Sequence, residues 1–196
     1  MGRPVGALAV AISGFVAYGL AVDSPFVWIY VPITIVLAVA GFFIHRSVEL
    51  SMSSLWWLVA AAIGNLAGGI YLIDGQPLYV KRLVGDIRYD KPFHTVATAI
   101  AAWAAYEVVA KWAVGRASRP AIAVAAVLVA AGLGALVEIV EFVGSIVIEN
   151  ANVGGYGDTM LDLVVNTAGG AAAVIIQDHR RQGPGAGLRR RWSVPQ

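Results

Sequence analysis

Apolar residues run almost unbroken through six stretches of this chain, approximately Val5 to Val22, Phe26 to Ile44, Leu55 to Ile73, Phe93 to Ala113, Ala121 to Ile148 and Met160 to Gln177. Each is close to the roughly 20 residues a helix needs to cross the hydrocarbon of a bilayer. Turn and charge signals separate them: Asp23-Ser24-Pro25, His45-Arg46 through Ser54, the longer Asp74 to Lys91, Gly115 to Pro120, and Glu149 to Gly157. The pattern predicts an all-α fold, a polytopic membrane bundle of about six transmembrane helices. Only the fifth stretch is overlong. Tilt, or helix projecting beyond the bilayer, would absorb its excess, and Gly132 and Gly134 within it predict close helix approach. Arg3 ahead of an apolar run, with Gly19-Leu20-Ala21 behind it, has the outline of a signal peptide. The run exceeds the usual length of about 7 to 15 residues, however, and the next span follows at once, so it reads as a retained first helix.

Composition agrees, with 59% hydrophobic and 13% charged residues, where a soluble domain carries about 25% charged. No linker divides the chain. Residues 1–178 read as one six-helix domain, and 179–196 as a basic, flexible cytoplasmic tail lying near anionic headgroups. The absence of cysteine excludes disulfides, thiolate metal sites and Cys nucleophiles. The net charge of +2 does not point to nucleic acid, because the basic residues sit at segment ends rather than in a patch with interleaved aromatics. They read as topology signals. With both termini cytoplasmic, the inner side of the cell membrane receives Arg3, Arg46, Lys111, Arg116, Arg119 and the arginines at 180, 181, 189, 190 and 191. The outer side receives only Lys81, Arg82, Arg88 and Lys91.

Ionisable groups at mid-helix cost roughly 2.5 to 3.5 kcal/mol each on insertion scales, so each asks for a reason. Helix four opens with Asp90-Lys91-Pro92-Phe93-His94, helix five carries Glu138 and Glu141, helix six runs through Asp158, Asp162 and Asn166, and helix three carries Asn65. On the topology above, all lie in the outer half. Spacings of three and four put Glu138 with Glu141, Asp158 with Asp162 and Asn166, and Asp90 with His94 on shared faces. Three acidic stripes are expected to face one another around an outward-facing polar pocket. Plainer roles compete at some positions. Asp158 and Asp90 read first as helix N-caps, and a lone His94 as a partner for a carbonyl. Asn65 reads equally as helix glue on a packing face of Gly64, Gly68 and Gly69. Glu107 with Lys111 one turn later reads as a structural ion pair. Glu138, Glu141 and Asp162 resist such readings, because helices five and six hold no Lys or Arg to neutralise them.

Asp90-Lys-x-x-His94, Glu138-x-x-Glu141 and Asp162-x-x-x-Asn166-x-x-Gly169, in this order on the last three helices, resemble the signature of VanZ-like membrane proteins. The Glu-x-x-Glu variant and the two leading helices also resemble YjdF-like inner-membrane proteins. The likeness covers roughly residues 55 to 175. VanZ-like proteins are associated with low-level resistance to the glycopeptide antibiotic teicoplanin, so the resemblance implies a role at the cell envelope. Many VanZ-like chains have Gln where Glu141 stands and an Arg shortly before the last Asp motif, where this chain has Val153-Gly-Gly-Tyr-Gly157. YjdF-like chains tend to have Asp where this one has Asn166. The missing Arg leaves Lys91, Arg82 and Arg88 as the cations available to an anion.

An acidic pocket with no balancing cation must take up protons or bind one. In one solution Glu138, Glu141, Asp158 and Asp162 hold Mg2+ or Mn2+, with His94 favouring Mn2+ or Zn2+. The ion would hold a lipid-linked phosphate, with His94 or one of Glu138, Glu141 and Asp162 as general base. Asp90, Lys91, Asn166, Asn65, Arg82 and Arg88 would contact the substrate. That describes a metal-dependent phosphate hydrolase or transferase acting on membrane lipids or lipid-linked envelope precursors. In the other, the acids share protons in a proton- or cation-coupled transporter or a lipid-binding accessory protein. No inverted repeat supports the transporter. A cluster serving only to lock helix packing would be a costly scaffold. Neither a nucleotide fingerprint nor a nucleophile elbow occurs in the chain.

Overall fold

The computed structural model describes residues 2–147 and 155–182. It contains six long helices: α1 Gly2–Ala21, α2 Val27–Val48, α3 Met52–Ile70, α4 Asp90–Trp112, α5 Arg119–Val147 and α6 Tyr156–Gln182. All six are long and apolar enough to cross a membrane. The all-α bundle is therefore as the hydropathy pattern predicts. α6 runs past the expected end of its span, through Gln182. The remainder of the basic tail, 183–196, and most of the loop before α6, 148–154, lie outside the described residues.

α1, α2 and α3 form one packed trio and α4, α5 and α6 another, joined mainly where α3 meets α4. The core of the second trio is built largely from Ala102, Ala105, Ala126, Ala130 and Ala173. Small side chains let helix axes approach closely, which is how association is won in lipid, where apolar burial drives little. Gly169 marks the tightest point: a Cβ there would run into the main-chain carbonyl of Thr95, so the crossing of α6 over α4 requires glycine. Gly134 on α5 likewise lies against Asn166, whereas Gly132 faces open space, so close approach holds at one of those two glycines and not both. α5, with 29 residues, is about 43 Å long at 1.5 Å per residue, well beyond a hydrocarbon core of about 30 Å.

In the first trio the core is smaller, centred on Val27, Leu66 and Ile70. The glycine face of α3 receives aromatic rings rather than a neighbouring backbone: Phe93 sits on Gly64, Tyr79 on Gly68 and Tyr30 on Gly69. Outward faces expose large apolar side chains, among them Val36, Phe43, Leu128, Ile139 and Val164. Such a surface suits lipid and would be a liability in water.

The segment between α3 and α4 folds into two small antiparallel hairpins. β1 (Leu72–Ile73) pairs with β2 (Gln76–Pro77) and β3 (Arg82–Val84) with β4 (Ile87–Arg88), with a 3-10 turn at Leu78–Val80 between them. Asp74 and Gly75 both have positive φ, as a two-residue type I′ turn demands, and Asp-Gly is a preferred pair for that turn.

At the opposite end of α4 the expected Glu107–Lys111 ion pair does not form. The Glu107 carboxylate instead accepts hydrogen bonds from the Ser51 amide (2.9 Å), the Ser51 hydroxyl (2.8 Å) and the Ser54 hydroxyl (2.9 Å). The Lys111 ammonium donates to the carbonyls of Val48 and Glu49 at 2.5 and 2.6 Å, closing the C-terminus of α2. The buried carboxylate takes the donors of a free helix N-terminus, and the cation takes the carbonyls of a free C-terminus. Both helix ends need these partners more than the two side chains need each other.

Candidate functional site

α4 brings Asp90, Lys91 and His94 in its first turns, α5 brings Glu138 and Glu141, and α6 brings Asp158, Asp162 and Asn166. These three helices pack together, so the stripes face one another as their spacing predicts. The polar groups form two layers.

The first layer is an ion-pair network at the helix ends. The Lys91 ammonium lies 2.6 Å from Asp162, 2.7 Å from Asp158 and 3.3 Å from Asp90. Arg88, arriving on β4, pairs with Asp158 and, at 3.1 Å, with Asp90. Burial acts to lower the Arg88 pKa, but the bond to Asp158 and the nearby aspartate charges outweigh it and raise the pKa, so Arg88 stays a cation. The expectation that no cation balances the acids is thus corrected for the aspartates: their partner comes from α4, not from α5 or α6. The capping readings are corrected too. α6 begins at Tyr156, and Asp158 in its first turn points its carboxylate at Lys91 and Arg88. The N-cap of α4 is Tyr89, while Asp90 accepts the Lys91 amide at 2.8 Å and uses its other oxygen in the network.

The second layer lies one turn further in. The His94 ring stands between two glutamates, with Nδ1 3.7 Å from Glu138 Oε1 and Nε2 3.8 Å from Glu141 Oε1. One ligand atom from each of the three can be chosen so that all lie within 4.8 Å of one another. His94 and Glu138 are buried, at 7% and 6% exposure. Next to them the Thr98 hydroxyl lies 2.8 Å from the His94 carbonyl and 2.6 Å from Asn166 Oδ1. Three buried polar atoms here have no hydrogen-bond partner: Glu138 Oε1, Asp162 Oδ1 and Asn166 Nδ2. Unpaired buried polar groups cost about 1 to 3 kcal/mol each, and here they gather around one histidine.

The four carboxylates expected to share a metal are therefore divided. Glu138 and Glu141 join His94, whereas Asp158 and Asp162 join Asp90 around Lys91. Arg82 is not brought to the cluster, being 70% exposed and paired with Asp86 at 3.1 Å on its own hairpin. Asn65 is bonded into an aromatic group beside α3, where it accepts from the Tyr79 hydroxyl at 2.8 Å and its amide lies 3.5 Å from Thr34. Tyr79 packs there against Tyr30, Tyr89 and Phe93, and burial raises its hydroxyl pKa well above the ordinary value, so it remains a donor. Sequence reasoning missed Thr98, although its spacing of four from His94 was a usable signal. Nothing in the sequence pointed to Tyr79.

No curated protein and no solved structure matches the chain. A family model described as "Predicted membrane protein (DUF2238)" matches residues 4–183. That span takes in all six helices and both polar layers, and the chain belongs to the DUF2238 family of predicted membrane proteins.

Proposed function

We propose that His94, Glu138 and Glu141 hold a divalent cation, Mn2+ or Zn2+, and that the protein uses it on the phosphate of a lipid headgroup. The observation that carries this reading is the buried Glu138 Oε1, unpartnered and 3.7 Å from His94 Nδ1, within a set of one nitrogen and two oxygen donors. One imidazole with two carboxylates suits Zn2+ or Mn2+ better than Mg2+ or Ca2+, which prefer all-oxygen sites. Bound there, such an ion supplies a Lewis acid for a phosphate oxygen and lowers the pKa of a bound water.

The chain's own residues supply the rest. Lys91 is engaged by three aspartates and Arg88, the more exposed of the two, by only two of them, so Arg88 is the cation better able to meet a phosphate oxygen. Asp162 Oδ1 and Asn166 Nδ2, beside His94, would orient a water or an acceptor hydroxyl. Attack by that oxygen breaks the P–O bond to the leaving group; a carboxylate takes the attacker's proton and the leaving group is protonated in turn. The protein is then a hydrolase or transferase for phospholipids or lipid-linked envelope precursors, in keeping with its resemblance to VanZ-like and YjdF-like proteins. The excess of Lys and Arg at the opposite end supports cytoplasmic termini and a site in the outer half of the membrane.

Metal analysis of detergent-purified protein, after exposure to Mn2+ and Zn2+, tests the reading. Wild type is expected to keep about one ion per chain, Glu138→Gln to lose it, and Asp158→Asn to keep it. A metal-free wild type, or equal metal in Glu138→Gln, overturns it. A second reading, a proton-coupled carrier, is favoured by one feature: His94 offers a different ring nitrogen to each glutamate, as a proton relay would. It predicts acid-driven uptake into vesicles, lost in His94→Gln, with no bound metal.

A further inference from the structure

A groove of about 350 Å³ runs along the junction of the two helix trios, between α3 and α4. Its floor is made of small residues, Ala60, Ala61 and Gly64 on α3 and Ala97 on α4, flanked by the rings of Trp57 and Phe93. Gly64 is required for that shape, since a Cβ would lie 2.8 Å from the Phe93 ring. Besides the Trp57 indole, the polar side-chain group on the lining is the Tyr89 hydroxyl, which is directed at the Gly64 carbonyl 3.4 Å away. The volume is at the small end of the range for ligand sites, about 300 to 1,000 Å³.

We infer that this groove holds one acyl chain of a membrane phospholipid whose headgroup reaches the polar site around the N-terminus of α4. The inference rests on the lipid reading above and names its substrate class. Both helices are long and apolar enough to cross a membrane, so the stretch of groove between them lies in hydrocarbon and is filled by hydrocarbon, while Leu83 of the β3 hairpin lines its outer end. It shares the first turns of α4 with the site: Tyr89, Pro92 and Phe93 line the groove beside α3, while the interleaved Asp90, Lys91 and His94 meet α5 and α6 on the other side of the helix. Arg88, next to Tyr89, pairs with Asp90 and Asp158, so the mouth of the groove and the edge of the ion-pair network are neighbours along the chain. Its length selects the chain. From Tyr89 to Ile100 there are eleven residue steps, about 16 Å at 1.5 Å each, which matches one leaflet, half of a core of about 30 Å. A phospholipid acyl chain fills that depth, and a long polyprenyl chain overruns it.

The test reconstitutes the full chain into vesicles of phosphatidylethanolamine and phosphatidylglycerol with a trace of phospholipid bearing a diazirine at its acyl terminus. After irradiation, detergent extraction and peptide mapping, label on Trp57 to Gly64 and Val96 to Ile100 is expected to exceed label on the exposed face of α2, at Val36 and Phe43, by tenfold or more. Ala97→Trp, which fills the groove, is expected to remove that excess while keeping the bound metal. Should this variant fail to fold, the distribution on wild type still decides. Label spread evenly over α2 and the groove overturns the inference, as does an equal excess in a folded Ala97→Trp or a polyprenyl mass co-purifying in place of phospholipid. Groove labelling in a metal-free protein leaves the inference standing and removes the metal reading, so the two fail separately.

Discussion

Glu107 and Glu138 are both glutamates inside the bundle, 8% and 6% exposed, yet their surroundings are opposite. Glu107 accepts three hydrogen bonds from the start of α3 and ties the α2–α3 connection to α4. Glu138, facing α4 about 20 Å away by helical rise from residue 94 to 107, keeps one oxygen with no hydrogen-bond donor, beside His94 and a second glutamate, Glu141. A buried carboxylate whose partners all come from the fold is a fastening. One whose partners are missing is a place for something else. The aspartates around Lys91 stand between the two, acids that have been given a tethered cation.

The contrast predicts different responses to substitution. Lys91→Met should have the largest effect, because it strands the buried Asp162 and leaves Arg88 alone to balance three aspartates. Removing one partner of a buried ion pair costs roughly 3 to 5 kcal/mol, and thermal unfolding in micelles would show the loss. A near-normal midpoint would mean that the aspartates are solvated and the network is not structural. Glu107→Ala should cost roughly 2 kcal/mol by stranding the Ser51 and Ser54 donors, with metal content unchanged. Glu138→Gln should move stability by less than about 1 kcal/mol in the metal-free protein, since no hydrogen bond to Oε1 is lost. A loss as large as that of Glu107→Ala would erase the distinction between the two glutamates. Arg82→Ala should be the mildest, within about 0.5 kcal/mol and without effect on metal, because its pair with Asp86 is exposed.

Much of this organisation is legible in the sequence, and the exceptions have physical causes. Six unbroken apolar stretches mark six spans because a bilayer tolerates little else, and spacings of three and four put the acids on facing stripes. The stripes do not reveal which cation crosses between helices. Counting Lys and Arg within helices five and six missed Lys91, which stands beside Asp90 in the chain and reaches Asp158 and Asp162 in space. Glu107 and Lys111 misled for a related reason: the spacing rule holds for exposed helix faces, but here free backbone groups at two helix ends compete for both side chains. The hairpins between α3 and α4 went unread, because the apolar pattern marks Asp74 to Lys91 only as a break, although Asp74-Gly75 is a usable turn signal. The separation of Glu138 and Glu141 from Asp158 and Asp162 depends on helix rotation, which periodicity fixes only for residues on one helix.

The central claim is that Glu138 Oε1 lacks a hydrogen-bond partner because it belongs to a cation. Thermal unfolding of wild type, Glu138→Gln and Asp158→Asn in micelles, with and without Mn2+ or Zn2+, tests it most directly. A ligand at one hundred times its Kd stabilises the state that binds it by about 2.7 kcal/mol. The account predicts stabilisation of that order in wild type and Asp158→Asn and none in Glu138→Gln. Equal stabilisation in all three, or none in wild type, would contradict it.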